Sequence, residues 1–409
     1  MVPTPPRAPR SGESITRAEV LIVGAGNAGI SLAARLLRDG AEDVAIVEPS
    51  PVHRYRPLLN YVGSGQATPA DLERPTGSVI PDGCRWVQDA VQAVDPETRT
   101  VRTRRGASIG YSTLVLCPGM GEDWAAVPGL QEAYSSGWAG STYVPGSAPL
   151  VWPALKGIRE GSVVFSMPPE PAPCAPTALK PALMACDHWR RRGVLGDLEV
   201  TLVLPEARAL GVAGADEHLE AAFDAYGIDV VRSSRVGAVD PVLRSVDLAT
   251  PTGTRRLDQV AYAHVVPHYR APGWIADSGL GGRPPAGLVD IDPLTLRHQR
   301  FEDVWAIGDA AAIATRSSGG ALRKQVPVLA HNIAAASGRG SGRRLRSYDG
   351  YTVMPVTTGR DRLMLVQADR KGPRPLPLPD PFAPRRAAWW LDRYVLPQTY
   401  WRRLLRGKV

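Results

Sequence analysis

Residues 20–29 read Val20-Leu21-Ile22-Val23-Gly24-Ala25-Gly26-Asn27-Ala28-Gly29. An apolar run entering a Gly-x-Gly-x-x-Gly turn predicts a buried strand over 19–24 and a helix over Ala28–Arg38. A second apolar run, Asp43–Glu48, predicts the next strand, and it ends in an acid 24 residues beyond Gly24. Strand, turn, helix, strand and acid in that order make a dinucleotide-binding unit. Gly24 permits the tight turn, Gly26 lets the backbone approach the phosphates, and Gly29 allows the helix to close on the strand. The helix start at Asn27 and Ala28 faces the pyrophosphate, and Glu48 suits the ribose hydroxyls. Ala33, one turn further on, keeps the helix close to the sheet.

Outward from that stretch the α/β plan repeats. Tyr111–Leu116 reads as a strand ending in Cys117-Pro118-Gly119. Val163–Met167 opens a second unit, with a helix near Thr177–Arg191, a strand at Val200–Leu204, a helix at Glu217–Tyr226 and a strand at Ile228–Arg232. Where a second glycine turn would follow Val163–Met167, the chain has Pro168-Pro169-Glu170-Pro171-Ala172-Pro173-Cys174. Prolines lack the N–H groups and the freedom that a phosphate cradle needs, so this slot is not built for a nicotinamide nucleotide. It offers a thiol instead. Further on, Phe301–Ala310 reads as a strand ending in Gly308-Asp309, followed by a helix of small residues. An aspartate at that strand end can bond the ribityl hydroxyls and phosphate of a flavin dinucleotide. The expected organisation is therefore a tail (1–17), a first dinucleotide-binding domain (18–125 and 286–345), a second inserted in it (126–285), and a C-terminal region (346–409).

The chain has 409 residues, 44% hydrophobic and 22% charged, with four irregularly spaced cysteines. That composition is globular, and the cysteines suit a reducing compartment better than a disulfide scaffold. Residues 1–17 lack the apolar core of a secretory signal, and no apolar run could span a bilayer, so a cytoplasmic location is expected. The net charge is +8. Much of it lies in Arg385–Lys408, where seven basic residues meet one acid, Asp392. No base-reading module accompanies the charge, so no nucleic-acid partner is expected. No metal-ligand spacing stands out.

Several further motifs make the chain recognisable. The run Val47-Glu48-Pro49-Ser50 with His53, Tyr55 and Pro57-Leu58 resembles the sulfide:quinone oxidoreductase family, in its eukaryote-type branch. So do Val62-Gly63-Ser64-Gly65, Arg74–Pro81, Pro173-Cys174-Ala175, Tyr348-Asp349-Gly350-Tyr351-Thr352 and Tyr400-Trp401. The likeness extends from about Glu19 to Gly407. It implies two dinucleotide-binding domains, FAD, a redox-active cysteine pair that oxidises sulfide, and electron transfer to a quinone.

This chain departs from the pattern at one essential place. Cys174 falls on the first redox cysteine of the family, but the position of the second is Met354. A thioether forms no disulfide and carries no persulfide. Cys117, at a strand end beside the flavin, is the candidate substitute, with a core thiol as the alternative; Cys84 and Cys186 are poor ones. Cys174 reads either as a reactive thiol at a strand's C-terminal end, ahead of a helix whose dipole favours thiolate, or as a buried apolar one. Lys180 is either its neighbouring charge or a solvated helix lysine. The family's lysine after the Gly-Asp strand is absent, with Arg316 one position away. Lys324 and Gln325 resemble residues along the isoalloxazine edge, or form an ordinary helix face. Around Trp389–Leu405, aromatics, leucines and arginines suit a helix lying on an anionic membrane, or a helix pair packed on its own domain. The leading expectation is an FAD-dependent oxidoreductase using Cys174 on a sulfide, thiol or persulfide, with a quinone or another acceptor. The alternatives are a flavoenzyme without sulfur chemistry and a flavin-binding protein without turnover.

Overall fold

A computed structural model describes residues 16–282, 287–338 and 344–408. The first sheet is organised around the glycine turn. Arg17–Val23 pairs in parallel with Val44–Val47 on one side and with Ser108–Leu116 on the other, and Val44–Val47 pairs with Cys84–Val87. Val304–Ala306 adds a further parallel strand against Leu114–Leu116. An antiparallel extension, Val91–Asp95 and Thr100–Thr103, continues from the start of the long strand. The strands Val44–Val47 and Val304–Ala306 are buried throughout, as parallel strands covered on both faces must be.

Between Leu116 and Val304 the chain leaves this sheet and builds another. Its order is Ala139–Gly140, Val260–His264, Gly161–Ser166, Leu198–Val203, Asp229–Val231, all in parallel. The helix Leu179–Arg191 packs over it, with Phe165, Trp189 and Phe223 at the centre of a second core. The interrupted order expected from the sequence is therefore the observed one. Two short strands, Gly121–Asp123 and His268–Arg270, pair where the chain crosses between the units. Ala271, Ile275 and Leu280 already belong to the first core, so the chain re-enters it before residue 286.

The C-terminal region ties both units together. The hairpin Thr352–Thr357 and Leu363–Asp369 sends Met354, Val356, Met364 and Val366 into the second core. Tyr348, Tyr351, Tyr400, Leu404 and Leu405 go into the first. Instead of a helix pair, Arg386–Arg402 is one helical run, widened to π geometry over Leu391–Val395. Gly407, at φ +63°, lets the chain end lie on the first helix, where an added Cβ would stand 2.7 Å from the backbone of Ala34 and Arg35.

Two other expectations are corrected. Arg17 belongs to the first strand, paired with Gly110, rather than to the tail; residues 1–15 lie outside the described residues. No helix follows Gly308-Asp309 directly. Ala310 and Ala312 instead hydrogen-bond Val289 on either side of an isolated bridge at Ala311, and the next α-helix starts at Leu322.

Candidate active site: a nucleotide cleft and a thiol

The three glycines of the turn do different physical work. Gly24 has φ +100°, and a Cβ there would stand 2.3 Å from the Cys117 carbonyl oxygen. A Cβ on Gly29 would stand 1.9 Å from the Gly24 carbonyl oxygen. Gly26 is unlike either, since a Cβ there would meet nothing within 4 Å. The protein itself does not require glycine at 26, so the open space above it is a cradle for something else. That space adjoins a cleft of about 510 Å³ lined by Val23, Gly24, Glu48, Pro49, Arg104, Pro118, Trp274 and Asp277 among others. Glu48 is held in place by its own loop: one carboxylate oxygen accepts the Ala25 N–H at 2.9 Å, the other the Ser50 N–H at 2.8 Å. Each oxygen keeps a second lone pair for a ribose hydroxyl. Gly119, at φ +72°, turns the chain beyond Pro118, and a Cβ there too would meet nothing. Turn, acid and cleft fit a dinucleotide.

A second cluster of contacts carries the site toward the thiol. Asn27, at the helix start, donates to the Gly319 carbonyl at 3.2 Å. In the same loop, the Ser317 hydroxyl donates to Asp309, and Ser318 Oγ accepts the Val353 N–H at 3.2 Å. Ala28 approaches Gly308, whose φ of +79° keeps that strand end open. The Cys174 thiol lies 3.9 Å from the Val353 carbonyl oxygen. A single strand, Thr352–Thr357, thus separates the Asp309 loop from Cys174.

Gln325 is buried and uses its amide locally, accepting the Gly308 N–H at 3.1 Å and donating to the Tyr348 hydroxyl at 3.4 Å. It braces the Gly-Asp turn from behind. Lys324 is exposed beside Arg323, Tyr351, Gln367 and Arg374 around a separate hollow of about 340 Å³.

Cys174 sits at φ +50°, at the end of the proline-rich loop. The Tyr143 hydroxyl donates to its carbonyl oxygen at 2.8 Å. The expected helix start is a 3₁₀ turn, Ala175–Ala178, with the α-helix beginning only at Leu179. Burial dominates the thiol's acidity, pushing it up to about 12, while Lys180 acts to lower it. The expectation that a helix terminus favours thiolate is therefore not met. Lys180 is also not a solvated lysine, being fully buried against Asp392. Glu170, exposed on the same loop, has its pKa raised by partial desolvation, and its carboxylate lies 3.9 Å from Arg316. An acid and four prolines occupy the slot where a nucleotide phosphate would dock.

Met354 is buried, with its sulfur 4.0 Å from an Arg316 nitrogen. Arg316 also donates to the Ala209 carbonyl, so its charge is spent on the second unit. Cys117 is a core thiol: it is buried, donates to the Gly24 carbonyl at 3.6 Å beneath the glycine turn, and burial raises its pKa. Burial likewise pushes Cys84 and Cys186 up to about 12.

Some contacts at the site escaped sequence reasoning. His53 joins the Ala25 carbonyl (2.9 Å) to the Tyr400 hydroxyl, coupling the glycine turn to the C-terminal helix. Asp392 reaches Lys180 from 212 residues away in sequence. Its one signal was being the sole acid in a basic stretch.

A double-wound sheet, a glycine turn with its acid, and a thiol one strand from the Gly-Asp loop define a flavin-dependent oxidoreductase. Residues 18–142 match the family model described as Pyridine nucleotide-disulphide oxidoreductase. The mitochondrial sulfide:quinone oxidoreductase of Mus musculus is 30% identical over 393 residues, covering 95% of this chain and 86% of its own. That of Dictyostelium discoideum is 28% identical over 397 residues, again 95% and 86%. The crystal structure of the Aquifex aeolicus sulfide:quinone oxidoreductase superposes with a TM-score of 0.80 at 18% identity, over 96% of this chain and 92% of that one. The chain belongs to the sulfide:quinone oxidoreductase family.

Proposed function

We propose that this protein binds FAD in the cleft beside Gly24–Gly29 and oxidises a sulfide, thiol or persulfide at Cys174, with electrons passing to a quinone or another acceptor. The observation that carries the reading is the contact chain from Asn27 through Gly319, Ser318 and Val353 to the Cys174 sulfur. Gly26, Asn27 and Ala28 would receive the pyrophosphate, Glu48 the adenosine ribose, and Asp309 with Pro118 and Gly119 the ribityl segment. When bound, FAD would supply the oxidant that takes two electrons from the thiol chemistry. For hydrosulfide, the Cys174 thiolate and HS⁻ form one S–S bond, giving Cys174–S–S⁻, one proton and two electrons. Met354 cannot take that sulfur onward, so a thiol from solution must attack the persulfide and release it. Membrane contact, where a quinone would be met, belongs to the same reading. It is supported by Trp390 and Tyr394, 57% and 46% exposed on the outer face of the C-terminal helix. Among the described residues no helix is long and apolar enough to cross a bilayer. A peripheral, cytoplasm-facing protein is the form proposed.

Anaerobic reduction of the FAD-loaded protein, followed by flavin absorbance, tests this. Sulfide or a small thiol should bleach the flavin, and NADH and NADPH at sub-millimolar concentration should not. Cys174→Ser should abolish bleaching by the sulfur donor and leave FAD bound, because a hydroxyl is a far weaker nucleophile at neutral pH. Met354→Cys should restore some ordinary sulfide-driven bleaching, because a second thiol can then form a disulfide with Cys174. Rapid bleaching by a nicotinamide nucleotide, or normal turnover by Cys174→Ser, would overturn the proposal in favour of a flavoenzyme without sulfur chemistry.

A further inference from the structure

A hollow of about 340 Å³, lined by Arg323, Lys324, Tyr351, Gln367 and Arg374, opens where the helix Leu322–Ala336 begins beside the hairpin of Thr352–Thr357 and Leu363–Asp369. Its walls are tied to one another. An Arg323 nitrogen donates to the Tyr351 hydroxyl at 3.0 Å, and that hydroxyl donates to Gln367 Oε1 at 2.7 Å. The Arg374 backbone N–H donates to the Gln367 carbonyl at 2.8 Å, and its guanidinium is held by Asp369 and, at 3.4 Å, by Asp349. Tyr351 is buried and forms the floor, while Arg323, Lys324 and Arg374 stand exposed around it.

The chemistry left facing the hollow is one-sided. The Tyr351 oxygen and Gln367 Oε1 are already engaged as acceptors, so what remains is a set of donors. These are the Gln367 amide nitrogen, the Arg323 guanidinium, the Lys324 ammonium and the remaining N–H groups of Arg374. None of the lining residues is an acid. Arg374 is neutralised from behind by its two aspartates, but Arg323 and Lys324 have no carboxylate partner among the described residues. Two uncompensated cations on successive residues repel each other, and at a helix start they also oppose the helix dipole. A bound anion relieves both penalties. Guanidinium forks with an ammonium and an amide between them match the several oxygens of a phosphate, whereas a planar carboxylate can use only part of that set. The volume lies at the low end for ligand sites, which suits a small molecule.

We propose that this hollow binds a phosphate group carried by a small ligand, with Arg323, Lys324 and Arg374 receiving its oxygens and Gln367 donating from the floor. The site shares no lining residue with the cleft beside Gly24–Gly29, so it is independent of the thiol chemistry.

Isothermal titration of the FAD-loaded protein with inorganic pyrophosphate tests this, because FAD then occupies the other phosphate cradle. Wild type should bind pyrophosphate with a Kd well below that for acetate, and binding should weaken as salt is added. Lys324→Glu places a carboxylate where a helix start tolerates one, and should weaken binding about tenfold or more with no loss of thermal stability. Lys156→Glu, the same charge change at an exposed site on the second unit, should leave binding unchanged. The readout is the dependence on Lys324, so it stands whether or not FAD has loaded. Vesicles containing phosphatidic acid form a second arm. Lys324-dependent binding to them, with no Lys324-dependent binding of pyrophosphate, would assign the phosphate to a lipid headgroup instead of a soluble ligand. Equal binding by wild type and Lys324→Glu in both arms, or none in either, overturns the inference. So does an equal loss in Lys156→Glu, since net charge alone would then be at work.

Discussion

Alanine substitution along the glycine turn separates what the fold requires from what a ligand requires. At Gly24 an added Cβ would stand 2.3 Å from the Cys117 carbonyl oxygen with φ at +100°. Strain of about 1–3 kcal/mol from that backbone angle adds to about 1–3 kcal/mol of overpacking. Gly24→Ala should therefore destabilise the apoprotein by roughly 2–6 kcal/mol. Gly29→Ala, with its Cβ 1.9 Å from the Gly24 carbonyl, should do as badly. Gly26 has φ −71° and no atom within 4 Å of a built Cβ. Gly26→Ala forfeits roughly 0.5–1 kcal/mol of helix-start preference and gains about 0.4–1 kcal/mol by restricting the unfolded chain. Its apoprotein should match wild type within about 0.5 kcal/mol. The difference should appear on adding FAD. At a hundredfold excess over Kd, a ligand stabilises the native state by about 2.7 kcal/mol. Wild type should gain that amount and Gly26→Ala should gain none, because its methyl occupies the space above the turn; Gly26→Val should fail still more completely. Denaturation with and without FAD gives the stability terms, and quenching of flavin fluorescence gives Kd. A Gly26→Ala protein that bound FAD with wild-type Kd would refute the assignment of that space.

Two further outcomes follow from burial. Desolvation lowers the pKa of His53 and His264 to about 4, against 6.5 in the unfolded chain. Folded, these rings resist the proton that the unfolded chain accepts, so their contribution is fully present above pH 6.5 and is lost as pH falls toward 4. The slope is at most about 1.4 kcal/mol per pH unit for each ring. Urea denaturation from pH 7 to 4 should show that fall, and His264→Gln should make it shallower; a flat profile would refute the account. On the outer face of the C-terminal helix, Trp390→Ser with Tyr394→Ser should reduce cosedimentation with vesicles rich in anionic phospholipid severalfold and leave folding intact. Equal binding by the variant would end the proposed membrane role of that face.

The glycine turn, its acid and the inserted second unit were legible because each is written locally, in residues whose spacing is fixed by phosphate geometry or sheet packing. That Pro168–Pro173 stands in the slot of a second glycine turn was equally legible, since it is written in the sequence itself. The chain after Gly308-Asp309 was misread because small residues fit a helix and an extended bridge alike. Here Ala311 goes to Val289, a partner the local sequence cannot name. The thiol's environment was legible only in part. The Cys174 loop could be placed at a strand end, but its acidity depends on burial and on a lysine tethered by Asp392, 212 residues further along. Lys180 reads in the sequence equally as a neighbouring charge or a solvated helix lysine, because helical periodicity cannot reveal a third segment lying across it.

The strand Val304–Ala306 and the run from Tyr400 to Gly407 both complete the unit that Arg17–Val23 begins. During synthesis, the first strands leave the ribosome with one sheet position unfilled and the face of the first helix uncovered. The inserted unit, whose five strands all lie between Ala139 and His264, has its sheet complete much earlier. Domains generally form as units as they emerge, and contacts of long sequence separation come last. The inserted unit should therefore be the first to resist proteolysis on stalled nascent chains. The nucleotide cleft should close only after the Tyr400 hydroxyl has reached His53 under the glycine turn. A ribosome-bound chain stopped before Tyr400 would hold a folded thiol-bearing unit beside a nucleotide unit still lacking its His53–Tyr400 contact.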